Sequence, residues 1–291
     1  GQNIFDQIRG ATKYISSSSS NAQGTDADEL KSFDSDGFTY GGNAGGNASS
    51  GSYVGWGWDA GASTSVNTAG DINPSSAWVN TTAGFNILKY TGSGTDNHTV
   101  GHNLGKKPMV WMVKCLDTAR DWVVHTGDNV YEPGYDYFNL NTNGAKNNSS
   151  ANAPTTSLFS VHGNDMNASG DEFIAYLWAE IPGYSYFAHW DGNSSTDGPF
   201  IHCGFKPKYI MWKPGSAGSD WVVYDDERTP TNLLSNYLLA NSNNAEGSSG
   251  TIDFLSNGFK LRTTTTHNNT SGTRVWFMAF AEHPFKYARS R

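Results

Sequence analysis

Glu180 and Glu282 each follow a near-continuous apolar run and form the most tempting carboxylate pair in the chain. Glycoside hydrolysis needs two such groups about 5–10 Å apart, one to protonate the leaving oxygen and one to attack or to activate water. The two glutamates, however, hold the same position in two copies of a repeat set out below. That separates them by a module and reads them as strand-end carboxylates on the solvent side. Asp225-Asp226-Glu227 offers hard oxygen ligands of the kind Ca2+ takes. Its counterpart Thr126-Gly127-Asp128 keeps one carboxylate, which favours a solvated loop. Asp34-Ser35-Asp36-Gly37 resembles part of a calcium loop, but the matching Leu255-Ser256-Asn257-Gly258 has lost both carboxylates. A tight turn explains both, because Asp, Asn and Gly suit turn backbones. His98 and His102 have the four-residue spacing of a metal pair, which is meaningful only on a helix; here it falls in a Gly- and Asn-rich stretch without the glutamate of HExxH. Gly101 to Lys107 lacks the glycine spacing and the Ser or Thr of a phosphate loop. There is no Gly-x-Ser-x-Gly elbow, although a triad assembled from distant positions leaves no local trace. The expectation is a non-enzymatic chain with no catalytic residues, no metal site and no cofactor, Ca2+ at the acidic loop being the one ion weighed.

Binding has better support. Aromatic faces beside Asn, Asp and Gln hold sugars by stacking and by hydrogen bonds from groups that are already rigid. Tyr131, Tyr135 and Tyr137 crowd one loop whose counterpart near Thr229 to Asn236 is much less aromatic, and Trp190-Asp191 stands at a module start opposite Tyr90-Thr91. These five, Tyr131, Tyr135, Tyr137, Trp190 and Asp191, are the candidate saccharide contacts, each weighed against ordinary strand packing. Trp122 and Trp221 recur in register, which fits a structural core.

The repeat tells which elements must position these residues. Asp121-Trp122-Val123-Val124 matches Asp220-Trp221-Val222-Val223, and Pro108 and Lys114 match Pro207 and Lys213, all 99 positions on (122 to 221). Ala179-Glu180 matches Ala281-Glu282 at an offset of 102 (180 to 282), so the length differences fall in loops. A partial copy precedes these: Phe33-Asp34-Ser35-Asp36-Gly37-Phe38 and Gly51 match Phe254-Leu255-Ser256-Asn257-Gly258-Phe259 and Gly272, and Phe5-Asp6-Gln7-Ile8-Arg9 resembles Tyr224-Asp225-Asp226-Glu227-Arg228. Four regions follow: a partial β module at 1–66, a linker at 67–82 rich in Gly, Ser, Thr and Asn, and full β modules at 83–182 and 183–291. A module that opens without its early strands exposes a sheet edge, which invites pairing with another chain.

Within each copy, Met109 to Val113, Tyr209 to Trp212, Phe173 to Trp178 and Val275 to Phe280 are short apolar runs bounded by turn residues. They read as central strands covered on both faces, so the fold class is all-β, with tandem antiparallel jelly-roll-like β-sandwich modules. Asn232 to Leu239 is ambiguous between helix and strand, and Asp26 to Leu30 reads as a helical turn. The 15 Phe, 14 Tyr and 10 Trp supply ample core without disulfides. Cys115 and Cys203 are too few for a disulfide framework or a zinc site, and read as small buried hydrophobes.

A net charge of −8, with no basic run longer than Lys106-Lys107, argues against nucleic acid as a partner. No apolar stretch is long enough for a bilayer-spanning helix and no signal segment opens the chain. Gly1 is not an initiator methionine, which suggests a processed chain or a fragment.

The phrases Asn3 to Ile15, Ser32 to Phe38, Tyr53-Val54-Gly55-Trp56, Ser195 to Phe200 and Ala279 to Ala288 resemble repeat domains of uncharacterised tail and appendage proteins of marine bacteriophages. The resemblance covers nearly the whole chain. It implies a virion-surface, extracellular location, a role in host-surface attachment or fibre assembly, and other virion proteins and host polysaccharide or glycan as partners. It also implies a homo-oligomer, a trimer being what tail fibres form. It carries over no catalytic or metal residue. Two other classes remain open: a secreted or cell-surface carbohydrate-binding protein, which predicts monomers, and a depolymerase, which needs a carboxylate pair that only the fold could assemble.

Overall fold

A computed structural model describes residues 2–42, 44–126, 136–149, 151–216, 218–265 and 268–282. The first module opens with a three-stranded sheet of β1 (Asn3–Ile4), β2 (Lys13–Ser16) and β3 (Gly24–Thr25), followed by a hairpin of β4 (Leu30–Asp34) and β5 (Gly37–Tyr40) and a single helical turn, α1 (Ala44–Asn47). The second reaches back into the region read as the first module, since residues 62–64 join its sheet, and contains β6 (Ala62–Thr64), β7 (Ser76–Asn80), β8 (Phe85–Thr91), β9 (His98–Gly101), β10 (Val110–Cys115), β11 (Val123–Thr126), β12 (Tyr137–Asn139), β13 (Leu158–Val161), the short helix α2 (Gly163–Asn167) and β14 (Glu172–Trp178). The third contains β15 (Ser185–Asp191), β16 (Phe200–His202), β17 (Tyr209–Pro214), β18 (Val222–Asp225), β19 (Leu234–Leu239), β20 (Gly247–Leu255), β21 (Gly258–Leu261) and β22 (Arg274–Phe280). The chain is all-β, and every ladder between these strands is antiparallel.

The repeat holds in three dimensions. The second module forms a seven-stranded sheet, β12-β11-β10-β14-β8-β7-β6, and the third begins its sheet with the matching β15-β22-β17-β18-β19. Register repeats as well: Phe33 faces Phe38 across one hairpin and Phe254 faces Phe259 across its copy. The modules differ in how the covering layer is joined. In the third, β20 links β19 to β21 and β16, giving one eight-stranded sheet; in the second, β13 and β9 stay a separate pair.

Two sequence expectations change. Residues 76–80, inside the segment read as a linker, form β7, which pairs with β8 along Ser76↔Lys89 to Asn80↔Phe85. β7 lies one strand in from the edge strand β6, and a Ser/Ala/Trp/Val/Asn run there is only partly buried and needs little apolar pattern, so composition concealed it. Asp26 to Leu30 is a turn that runs into β4 rather than a helical turn, and the ambiguous segment resolves as β19.

The central strands are buried on both faces, as their unbroken apolar runs require. Val110 and Met112 of β10 join one cluster, which runs on into the third module through Trp212, Trp221 and Trp276. Trp111, Val113 and Cys115 join a second, roofed by Phe159 and Val161 of β13. Cys115 and Cys203 are buried free thiols, and burial pushes the Cys203 thiol up to about 12.

What binds the modules is a cyclic set of equivalent contacts. The Trp122 indole N–H donates to the Ser16 carbonyl of the first module (2.9 Å), and the Trp221 indole N–H to the Asn139 carbonyl of the second (3.0 Å). Gln2, which takes the tryptophan's place in the first module, donates to the Leu239 carbonyl of the third (2.7 Å). The equivalence is exact in pairing: Ser16, Asn139 and Leu239 face Asn3, Val123 and Val222 in their own modules. Three modules therefore close into a ring. Lys114 and Lys213, both fully buried, reinforce two of the joints. Lys114 Nζ donates to the carbonyls of Ser20, Cys115 and Arg120, and Lys213 Nζ to those of Gly144 and Ser219. Burial pushes each lysine down to about 8.

Candidate functional site

Residues Val54 to Trp58 occupy, by the Gly51/Gly272 correspondence, the place that β22 fills in the third module. Here the first module offers the segment no ladder partner among the described residues. The chain still alternates as an extended strand does: Val54, Trp56 and Trp58 are partly buried and Gly55 and Gly57 are exposed. With no sheet of its own to pack on, the inward face turns to the neighbouring modules. Trp58 meets Tyr209 at 5.3 Å between ring centroids and 89°, Phe280 at 5.5 Å and 72°, and Trp178 at 6.3 Å and 74°. Trp56 meets Tyr209 at 5.5 Å and 71°. These edge-to-face angles place aromatic walls nearly at right angles to one another.

The result is a cleft of about 350 Å3 lined by Trp56, Trp58, Tyr184, Tyr209, Phe280, the buried Asp225 and the polar rim Lys208, Glu227 and Glu282. Its floor is organised by a loop that occurs twice. Asp225 accepts from the Arg228 backbone N–H (3.0 Å) and Nε (2.7 Å), and from the Trp56 indole N–H (3.3 Å). The Arg228 guanidinium, which also donates to Val223 O and Glu246, lies over the Trp56 ring at 5.8 Å. Lys208 pairs with Asp226 (2.9 Å) and Glu227 (3.1 Å), and Lys206 with Asp226 (3.2 Å). Those carboxylates, Asp226 first, raise the Lys208 pKa. Burial raises the phenols of Tyr184 and Tyr209, so both remain hydroxyl donors at neutral pH. Glu282 is exposed and makes no hydrogen bond or ion pair among the described residues.

The acidic loop weighed for Ca2+ is thus already neutralised: each of its carboxylates has a cation partner. Among the described residues no group of three or more His, Cys, Asp or Glu is arranged to hold a metal ion. Nor is any helix long and apolar enough to cross a membrane.

The saccharide candidates fare unevenly. Tyr131 and Tyr135 lie outside the described residues. Tyr137, on β12, is half-buried against the rings of His125 (5.4 Å) and His162 (5.2 Å). Trp190 is core, not contact surface: it is 4% exposed, packs on Trp212, Phe259 and Phe277, and donates its indole N–H to Asn268 O. Its counterpart Tyr90 is equally buried and donates to Met166 O. An aromatic that recurs at one module position was a core signal here, as it was for Trp122 and Trp221. Asp191 is ion-paired with Arg274 at the surface. Glu180 follows β14 and Glu282 follows β22, one in each module, and only Glu282 reaches the cleft. The hidden signal was Gly55-Trp56-Gly57-Trp58: two tryptophans at strand spacing, separated by residues too small to build a second face.

A family model described as Domain of unknown function (DUF7483) matches residues 1–284. No curated protein and no solved structure matches the chain. The match takes in every strand of the three modules, and the chain belongs to the DUF7483 family.

Proposed function

We propose that this chain is a non-catalytic phage virion appendage protein, a tail-fibre or tail-associated component, that attaches to host-surface glycan through the Trp56–Trp58 cleft. The observation that carries the reading is the cleft itself. It combines aromatic walls fixed by edge-to-face packing with hydroxyl, amine and carboxylate groups at one rim, which is the composition that sugar recognition calls for. The location at the virion surface rests on the sequence resemblance, as do the other virion proteins as partners. The test is a binding screen of the purified chain against bacterial surface polysaccharides and intact cells, with reducing ends assayed in parallel. Saturable binding that Trp58→Ala abolishes and that releases no reducing ends is the expected result. Release of sugar would make the protein a depolymerase.

The ring favours a second reading in one respect. Its intermodule contacts are satisfied within a single chain, which suits a monomeric secreted or cell-surface carbohydrate-binding protein. Light scattering separates the two: a trimer supports the appendage, a monomer the secreted lectin-like protein.

A further inference from the structure

We propose that the cleft selects a positively charged amino or ammonium group carried by its ligand, an amino sugar or a quaternary ammonium substituent rather than an acidic sugar. The proposal rests on the cleft being the binding site and goes on to name the chemistry it takes. Three observations support it. The ring faces and edges of Trp56, Trp58 and Tyr209 meet at 71–89°, so they form adjoining walls rather than a flat stacking platform. Flat platforms suit the face of a neutral pyranose; walls at right angles enclose a compact cation, which is held by ring quadrupoles. Trp56 already meets one cation in this way, the Arg228 guanidinium beside the cleft at 5.8 Å from its ring. Finally, the rim carries an excess of negative charge. Lys206 and Lys208 are matched by Asp226 and Glu227, and Arg228 by Asp225 and Glu246, which leaves Glu282 as an exposed carboxylate at the mouth with no cation of its own among the described residues. A net charge of −8 over the chain acts in the same direction and repels uronate or sulfate.

Calorimetric titration of the full chain with choline, glucosamine oligosaccharides, neutral glucose oligosaccharides and polyuronate tests it. The expected result is binding of choline and of glucosamine oligosaccharides, weakened about 3–10-fold by Glu282→Gln and by Trp58→Phe, and weakened further by salt. Glu282→Gln changes a solvent-exposed side chain, so it reads ligand charge without disturbing the fold. Equal or tighter binding of neutral or acidic oligosaccharides would overturn the charge selectivity and leave the glycan reading standing. Binding of choline without any saccharide would overturn the glycan reading and leave the charge selectivity standing. Binding of none of the four would overturn both.

Discussion

The loop Asp-x-x-Arg occurs at two junctions of the ring, and the two are built alike up to the residue that closes them. In the first module Arg9 donates to Asp6 from its backbone N–H (2.9 Å) and its Nε (2.5 Å), and to Ile4 O (2.9 Å), just as Arg228 does to Asp225 and Val223. Above Asp6 sits Tyr176 of β14, a hydroxyl at 2.6 Å on a central strand of a complete sheet. Above Asp225 sits Trp56, on an unpaired segment with glycines on either side. The first junction is shut, its arginine and aspartate side chains 1% and 2% exposed; the second leaves the arginine 11% exposed and a cleft beside it. One loop thus serves as cement where a sheet backs it and as the floor of a cleft where, among the described residues, no strand backs it.

Substitutions at the two aspartates should break this parallel most visibly. Asp6→Asn leaves Arg9 charged and buried without its counter-ion, and should cost about 3–5 kcal/mol in denaturant unfolding. Asp225→Asn, at the junction that water can reach, should cost about 1–2 kcal/mol and weaken ligand binding instead. Equal losses at the two sites would show that the cleft is not functionally distinct from the shut junction.

Acid should act inside the second module and away from either junction. His102 is pushed down to about 4 by burial, with Thr155 O opposing. An unfolded histidine titrates near 6.5, so between about pH 6.5 and 4 the unfolded state binds a proton that the folded state does not. The stability His102 contributes, on the order of 3 kcal/mol, is present above that window and lost as pH falls through it. A falling protection factor at Leu104, whose N–H donates to His102 Nδ1, taken against the intrinsic exchange rate at each pH, should report it, and a protection factor that stays constant down to pH 4 would contradict it.

At the open junction, Trp58→Ala should lower stability by about 2–3 kcal/mol through lost packing and abolish ligand binding. Gly57→Ala is the smallest change: a Cβ there meets nothing within 4 Å, so stability should stay within about 0.5 kcal/mol of the parent and binding should persist. A large effect would mean that the segment moves on binding.

Much of the architecture is legible in the sequence because it repeats. The Asp-Trp-Val-Val phrases, the Phe33/Phe38 and Phe254/Phe259 hairpins and the doubly buried strands all follow from side-chain identity and period, and each is where the pattern puts it. The burial of Trp190 is legible too, through its aromatic counterpart Tyr90, by the same recurrence that marks Trp122 and Trp221 as core. The ring closure was not legible. Gln2, Trp122 and Trp221 all donate to backbone carbonyls, and a carbonyl looks the same at every residue, so no pattern announces Leu239, Ser16 or Asn139 as partners. The cleft was hidden for a related reason. Trp56 and Tyr209 are 153 residues apart (56 to 209), and what brings them together is that Val54 to Trp58 pair with no strand among the described residues. Side-chain type and spacing fixed the modules; which backbone groups and aromatic edges meet across modules was decided only when the three packed, because that depends on surfaces that no single module possesses.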